Sequence, residues 1–262
     1  MPSTHEFVVP AYGESPYLEE CLASLDAQTV RSPVTIATST PNEHIAHAAE
    51  RHGVPVRVNE GEHGIAGDWN FALSCAASTY VTIAHQDDVY LPEYAQTAVR
   101  MLDEAQDPLI FFTDYGELRE GQPVDDNRNL RIKRRLLCRM GTGERSSKPR
   151  YKRKVLSLGD AISCPTVTYV MERMPKGPFH GGMRSDLDWD LWERLSREHG
   201  EFVWCPKILM RHRVHEGSET SAVIAEHLRT NEDLQILRRF WPEPVARLIA
   251  RAYSTSEKSN DA

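Results

Sequence analysis

Along the first half of the chain, short apolar runs alternate with segments whose apolar residues recur every three or four positions. Glu6-Phe7-Val8-Val9 is a buried-strand pattern closed by Pro10, and Ser15-Pro16 supplies an N-cap and a first-turn proline. Leu18, Cys21, Leu22 and Leu25 share one helical face, predicting a helix to about Gln28. Val34 to Ala37 predicts a second strand. Asn42 is placed to cap a helix carrying Ile45, Ala48 and Ala49, stopped by Gly53. Val54 to Val58, with its internal proline, predicts a short edge strand. A helix is expected over 64–78, a strand over 79–84, a helix over 91–105 and a strand over 109–113.

This alternation predicts an α/β fold with a mostly parallel sheet and right-handed crossovers, whose ligands bind beyond the carboxyl ends of the strands. Pro10-Ala11-Tyr12 and His85-Gln86-Asp87-Asp88 both follow strands, which places them on one rim. The second half is less regular. A strand is expected over 165–171, a helix over 188–199 closed by Gly200, and a strand over 201–204. Amphipathic helices are expected over 219–240 and 245–253.

The turn Ala84-His85-Gln86-Asp87-Asp88-Val89-Tyr90 directly follows the apolar run Tyr80 to Ile83. Adjacent carboxylates repel, and desolvating them is costly unless a cation lies between them. Either this is a solvated turn with Asp88 as a cap, or it holds a metal.

Composition changes the picture little: 40% hydrophobic and 26% charged residues suit a globular core. Five scattered cysteines without a CxxC pair argue against a zinc site or a disulfide framework and for a reducing, cytoplasmic setting. No signal-peptide pattern or membrane-spanning run is present. Charge matters more. Residues 131–154 hold eleven Lys or Arg against one Glu, a net of +10 in a chain of net −7, so the rest carries −17. Leu130, Ile132, Leu136, Leu137 and Met140 fall at helical spacing among these cations. A basic amphipathic helix contacts the anionic inner face of a membrane, or else its apolar stripe packs on the sheet or on a second subunit. Both readings stay open. Nucleic acid is disfavoured by the acidic remainder and the lack of a recognised module.

Four segments stand in order: PAYGESPYLEECLASLDAQT, GIAGDWNFAL, HQDDVYLPEY, and SDLDWDLW followed by HRVHEGS. Together they resemble glycosyltransferase family 2, enzymes of the GT-A fold that move a sugar from a nucleotide diphosphate to an acceptor. The resemblance implies a Rossmann-like, mostly parallel sheet flanked by helices. It implies a GT-A domain over 1–218, with a nucleotide-sugar-binding half (1–115) and an acceptor-binding half (116–218) that includes the basic segment 130–154. A helical extension (219–254) and a disordered tail (255–262) follow.

The resemblance also distributes roles. Asp87 and Asp88 match the metal motif, in which His85 stands where the family has its first Asp, and the implied cofactor is Mn²⁺ or Mg²⁺. An imidazole ligand at His85 would favour Mn²⁺. Asp188 matches the family's base, with Leu187 replacing a Glu, whereas Asp190 also reads as a first-turn carboxylate facing the helix dipole. His215 and Ser218 match a His-x-x-Ser that closes over metal and diphosphate, and Arg211 and Arg213 are placed to neutralise that diphosphate. Pro10, Ala11, Tyr12 and Glu14 match the base-binding segment. Thr38 and Ser39 stand where the family has a base-reading Asp. Gln86, Asp68 and Asn70 complete the donor side, and Trp69 replaces an Arg. The implied partners are a nucleotide-diphosphate sugar and a glycan or lipid-linked glycan acceptor, and the C-terminal helices leave a homodimer open. Two rivals remain: a non-catalytic nucleotide-sugar binder, and a sugar-phosphate nucleotidyltransferase, which PAYGESPYL disfavours by lacking Arg and Lys. A dehydrogenase is disfavoured because no GxGxxG follows the first strand.

Overall fold

The computed structural model describes residues 4–215 and 228–258. The first half alternates as the pattern predicts: β1 (His5–Ala11), α1 (Leu18–Asp26), β2 (Val34–Thr38), α2 (Glu43–His52), β3 (Val56–Val58), α3 (Ile65–Ser74), β4 (Tyr80–Ile83), β5 (Val89–Tyr90) and α4 (Tyr94–Glu104). Then follow β6 (Pro108–Arg119), β7 (Gln122–Val124), α5 (Arg128–Met140), α6 (Glu144–Ser147), α7 (Pro149–Leu156), β8 (Val167–Val170), α8 (Leu187–Leu195) and β9 (Glu201–Val214). The last two helices are α9 (Leu228–Leu237) and α10 (Glu243–Lys258), whose Ile236, Leu237, Ala246 and Ala250 join the core beneath α7 and α8.

Among the described residues, nine strands form one sheet in the order β3-β2-β1-β4-β8-β6-β9-β5, with β7 on β6. β1 is parallel to β2 and β4, and β6 is parallel to β9, while β8 runs antiparallel between β4 and β6. The alternating side chains of β1 serve both faces: Phe7 and Val9 enter the core beneath α1, α2 and α4, and Val8 enters the core beneath α3, α7 and α8.

Several local expectations need correction. Pro10 does not end β1, because its nitrogen faces the β4 side, where pairing has already stopped at Val8 and Ile83, so no ladder bond is lost. Ser15 does not cap α1. Its hydroxyl accepts from Tyr17 N at 3.3 Å, and the helix begins at Leu18. Asn42 does cap α2, accepting from Ile45 N at 2.9 Å, and Gly53 closes that helix with φ 63°. β6 and β9 extend well beyond their apolar runs because their polar ends find partners. Asp114 pairs with Arg134 at 2.5 Å, and Glu117 accepts from Arg119 at 2.7 Å and from Asn127 at 2.9 Å. The basic amphipathic helix exists as α5, capped by Asn127, but its apolar side faces inward: Leu130, Leu137 and Met140 are buried in the two cores. Of that apolar stripe Leu136 is half-buried and only Ile132 is exposed. α10 continues to Lys258, into the tail 255–262 expected to lack structure.

Candidate active site

Between β4 and β5 the chain turns tightly, and both ends of the turn are pinned. Ala84 N still donates to Val8 O (2.8 Å), Asp88 N donates back to His85 O (3.1 Å), and Val89 and Tyr90 pair with Arg211 and Met210 of β9. The pairing brings the end of β9 against the acidic turn. Asp88 is fully buried. Its Oδ1 accepts from Arg213 N at 2.9 Å and from His212 Nδ1 at 3.0 Å. Its Oδ2 has no hydrogen-bond partner among the described residues, nor has His85 Nε2. His85, Asp87 and Asp88 each offer one ligand atom, and these atoms lie within 4.8 Å of one another. A desolvated carboxylate oxygen left open beside an imidazole is the arrangement a divalent cation completes.

The charges around this turn are ordered. Burial pulls the His85 imidazole below its usual range, against the raising effect of Asp88, Asp87 and Asp188. Asp188, at the start of α8, is therefore within electrostatic reach of His85. Burial also works against a charge on His212, but the Asp88 carboxylate and hydrogen bond, helped by Asp87, push it up to about 9. Burial alone would raise Asp87; His85, His212 and a hydrogen bond from His215 Nε2 (3.0 Å) outweigh it and hold the carboxyl below its ordinary range.

The structure gathers His85, Asp87, Asp88 and His215 into one cluster, as the sequence suggests. Gln86 is fixed beside it: its side chain accepts from Tyr12 N (3.0 Å) and donates to Tyr12 O (3.2 Å), while the Tyr12 ring is 66% exposed on the rim. Pro10 and Ala11 end β1 just below, with Ala11 buried, and Glu14 is exposed nearby. Ser39 donates to Asp68 at 2.9 Å, and Asp68 also accepts from Asn59 at 2.8 Å, so these two form a polar pair at the end of β2.

Other candidates are occupied elsewhere. The Thr38 hydroxyl is buried and accepts from Thr40 N at 3.0 Å. Asn70 brackets the backbone of Phe179, with bonds of 3.0 and 2.8 Å. Arg211 forms an ion pair with Asp125. Arg213 is buried, pairs with Glu20 and donates to Asp87 O at 2.8 Å, so it braces the acidic turn from behind. Asp190 is buried with both oxygens engaged, accepting from Arg194 at 2.9 Å and from Arg239 at 2.6 Å. Trp69 packs its ring 5.0 Å from His85 and 5.0 Å from Phe179. Ser218 lies outside the described residues.

Two contributors escape the sequence reading. His212 orients Asp88, and Glu20 balances Arg213. The signal for His212 is strand alternation. Once 211–214 is a strand, residue 212 faces opposite to 211 and 213, and only the β5 pairing reveals what it meets.

Residues 6–173 match the family model described as Glycosyl transferase family 2. No curated protein sequence matches the chain. Among solved structures, S. aureus TarS 1-349 in complex with UDP-GlcNAc aligns at TM-score 0.63 and 17% identity, covering 91% of this chain and 71% of that one. The mannosyltransferase PcManGT from Pyrobaculum calidifontis, in complex with GDP-Man and Mn²⁺, aligns at TM-score 0.63 and 15% identity, covering 97% and 70%. Glucosyl-3-phosphoglycerate synthase from Mycobacterium tuberculosis, in complex with Mn²⁺, UDP and phosphoglyceric acid, aligns at TM-score 0.56 and 14% identity, covering 89% and 78%. The shared GT-A architecture is thus observed as well as inferred.

Proposed function

Because the chain belongs to glycosyl transferase family 2, and is therefore a glycosyltransferase, we propose that it is an inverting, metal-dependent one acting in glycan assembly. In this reading a sugar passes from a nucleotide diphosphate to an acceptor hydroxyl. The observation that carries it is the buried Oδ2 of Asp88, which has no hydrogen-bond partner among the described residues and lies beside His85 at the carboxyl end of β4.

His85, Asp87 and Asp88 would hold the divalent cation, and the imidazole favours Mn²⁺ over Mg²⁺. When bound, such an ion supplies positive charge to the diphosphate oxygens as the sugar–phosphate bond breaks. The remaining roles belong to the chain. Tyr12 and Gln86 form the rim on which the donor base rests, with Pro10, Ala11 and Glu14 beneath and beside it. Ser39 and Asp68 offer polar atoms at the neighbouring strand end. Asp188 accepts the proton of the acceptor hydroxyl as that oxygen attacks the anomeric carbon from the face opposite the leaving group. His212 and Arg213 keep Asp88 turned toward the cation. The Mn²⁺ and nucleotide complexes of the similar structures support this reading.

The acceptor is a glycan, free or lipid-linked. Contact with an anionic membrane, in this reading, is electrostatic, through the exposed Arg128, Arg131, Arg135 and Arg139 of α5, since the apolar side of that helix is buried. No helix among the described residues is long and apolar enough to cross a membrane.

A panel of nucleotide-diphosphate sugars with Mn²⁺, scored by nucleotide release in the presence of glycan acceptors, identifies the donor. With that donor, Asp188→Asn is expected to lose about 10²- to 10⁴-fold in kcat while binding the donor as the native chain does. Unchanged kcat in Asp188→Asn would remove Asp188 from the base role.

A further inference from the structure

Helix α8 starts at Leu187, and inside its first turn the Asp188 carboxylate accepts from Trp189 N at 2.8 Å. The segment that leads into the helix is held from another element. The Glu232 carboxylate, on α9, accepts from Arg184 N at 2.9 and 3.0 Å, from Ser185 N at 2.8 Å, from Ser185 Oγ at 2.7 Å and from Asp186 N at 3.2 Å. These donors hold the Glu232 carboxyl below its ordinary range despite partial burial. Two residues later in the chain stands Asp188. A second grip lies one turn into α8, where Arg239, just beyond α9, bonds Asp190 at 2.6 Å and approaches Glu193 at 3.5 Å.

We propose that Glu232 is a positioning residue for the transfer reaction, through which the C-terminal extension fixes the segment 184–186 and hence the direction of Asp188. The inference rests on Asp188 being the base. Three successive backbone segments that bond one carboxylate cannot rotate independently, so the start of α8 is locked relative to α9. Glu232 touches no reacting atom; it sets where Asp188 points. A base displaced by about 1 Å costs on the order of 10²-fold in rate while leaving donor contacts on β1, β2 and β4 untouched.

The test uses the full chain and the donor identified by the nucleotide-release panel. Glu232→Ala is expected to lower kcat by about 10- to 100-fold with donor KM changed less than about threefold. Glu232→Gln keeps one oxygen in place and is expected to recover most of that loss. Amide hydrogen exchange at 184–186 should quicken in Glu232→Ala and much less in Glu232→Gln. The double variant Asp188→Asn with Glu232→Ala should be no slower than Asp188→Asn alone, because both act on one step. A Glu232→Ala protein that is less thermostable yet keeps native kcat per folded molecule overturns the proposal, as does a fully additive double variant. If Asp188→Asn itself keeps native kcat, the base assignment fails, whereas a native kcat confined to the Glu232 variants fails only the positioning role.

Discussion

Two acidic segments in this protein look alike in sequence and differ in what their oxygens do. In the strand-end turn, Asp88 is completely buried, and one of its oxygens has no hydrogen-bond partner among the described residues. At the start of α8, Asp190 is also buried, but Arg194 and Arg239 engage both oxygens. Histidines repeat the contrast. His5, buried at the start of β1, has Nδ1 against Ser32 (2.8 Å) and Nε2 against Thr82 (2.9 Å), whereas His85 Nε2 has no hydrogen-bond partner among the described residues. Burial is common to these groups, and what differs among them is the completeness of pairing. Buried atoms without a hydrogen-bond partner among the described residues also occur at Thr113, Trp192 and Trp204. An incomplete group therefore marks a ligand site only where other ligand atoms converge on it, as at His85, Asp87 and Asp88.

The contrast breaks most sharply within one helix. Asp188→Asn should cost turnover by orders of magnitude at little cost in stability, and Asp190→Ala should do the reverse. Removing Asp190 leaves two guanidinium groups partly unpaired, with a cost of about 2–3 kcal/mol, partly offset because both arginines reach solvent. Urea denaturation measures that loss, and turnover per folded molecule should fall far less than in Asp188→Asn. A stable Asp190→Ala protein with lost turnover would move Asp190 into the reaction.

A smaller effect sharpens the histidine pair. Burial lowers His5 to about 3, so the folded state keeps it neutral while the unfolded chain takes up a proton near 6.5. The unfolded state binds more protons between these values, so the His5 contribution is complete above pH 6.5 and fades as pH falls toward 3. Between pH 7 and pH 5 this amounts to about 2 kcal/mol. Urea midpoints of the native chain and of His5→Gln, compared at both pH values, isolate it. An equal pH dependence in the two proteins would show that His5 is not the group responsible.

Much of this was legible in the sequence, for a definite reason. The strands β1, β2 and β4 are buried on both faces and so appear as contiguous apolar runs, and α2 carries its own cap in Asn42 and its own stop in Gly53. The polar ends of β6 and β9 were not legible, because Asp114, Glu117 and Arg211 become strand residues only through Arg134, Asn127 and Asp125. The basic helix was readable as amphipathic, but not the direction of its apolar face, which tertiary packing decides. In the candidate site, His85, Asp87 and Asp88 fall within four successive residues and could be found by inspection. His212 and Glu232 act across the chain, through the β5–β9 register and through α9, and no local pattern encodes either partner.

The open oxygen of Asp88 is the center of the account, and metal-dependent nucleotide binding tests it most directly. UDP and GDP would be titrated calorimetrically with and without Mn²⁺ into the native chain and into Asp88→Asn, with circular dichroism confirming the fold of both. The account predicts that one nucleotide binds tightly only with Mn²⁺, and that Asp88→Asn weakens this binding by at least about tenfold, roughly 1.4 kcal/mol. Equal binding by the two proteins, or nucleotide binding indifferent to metal, would contradict it.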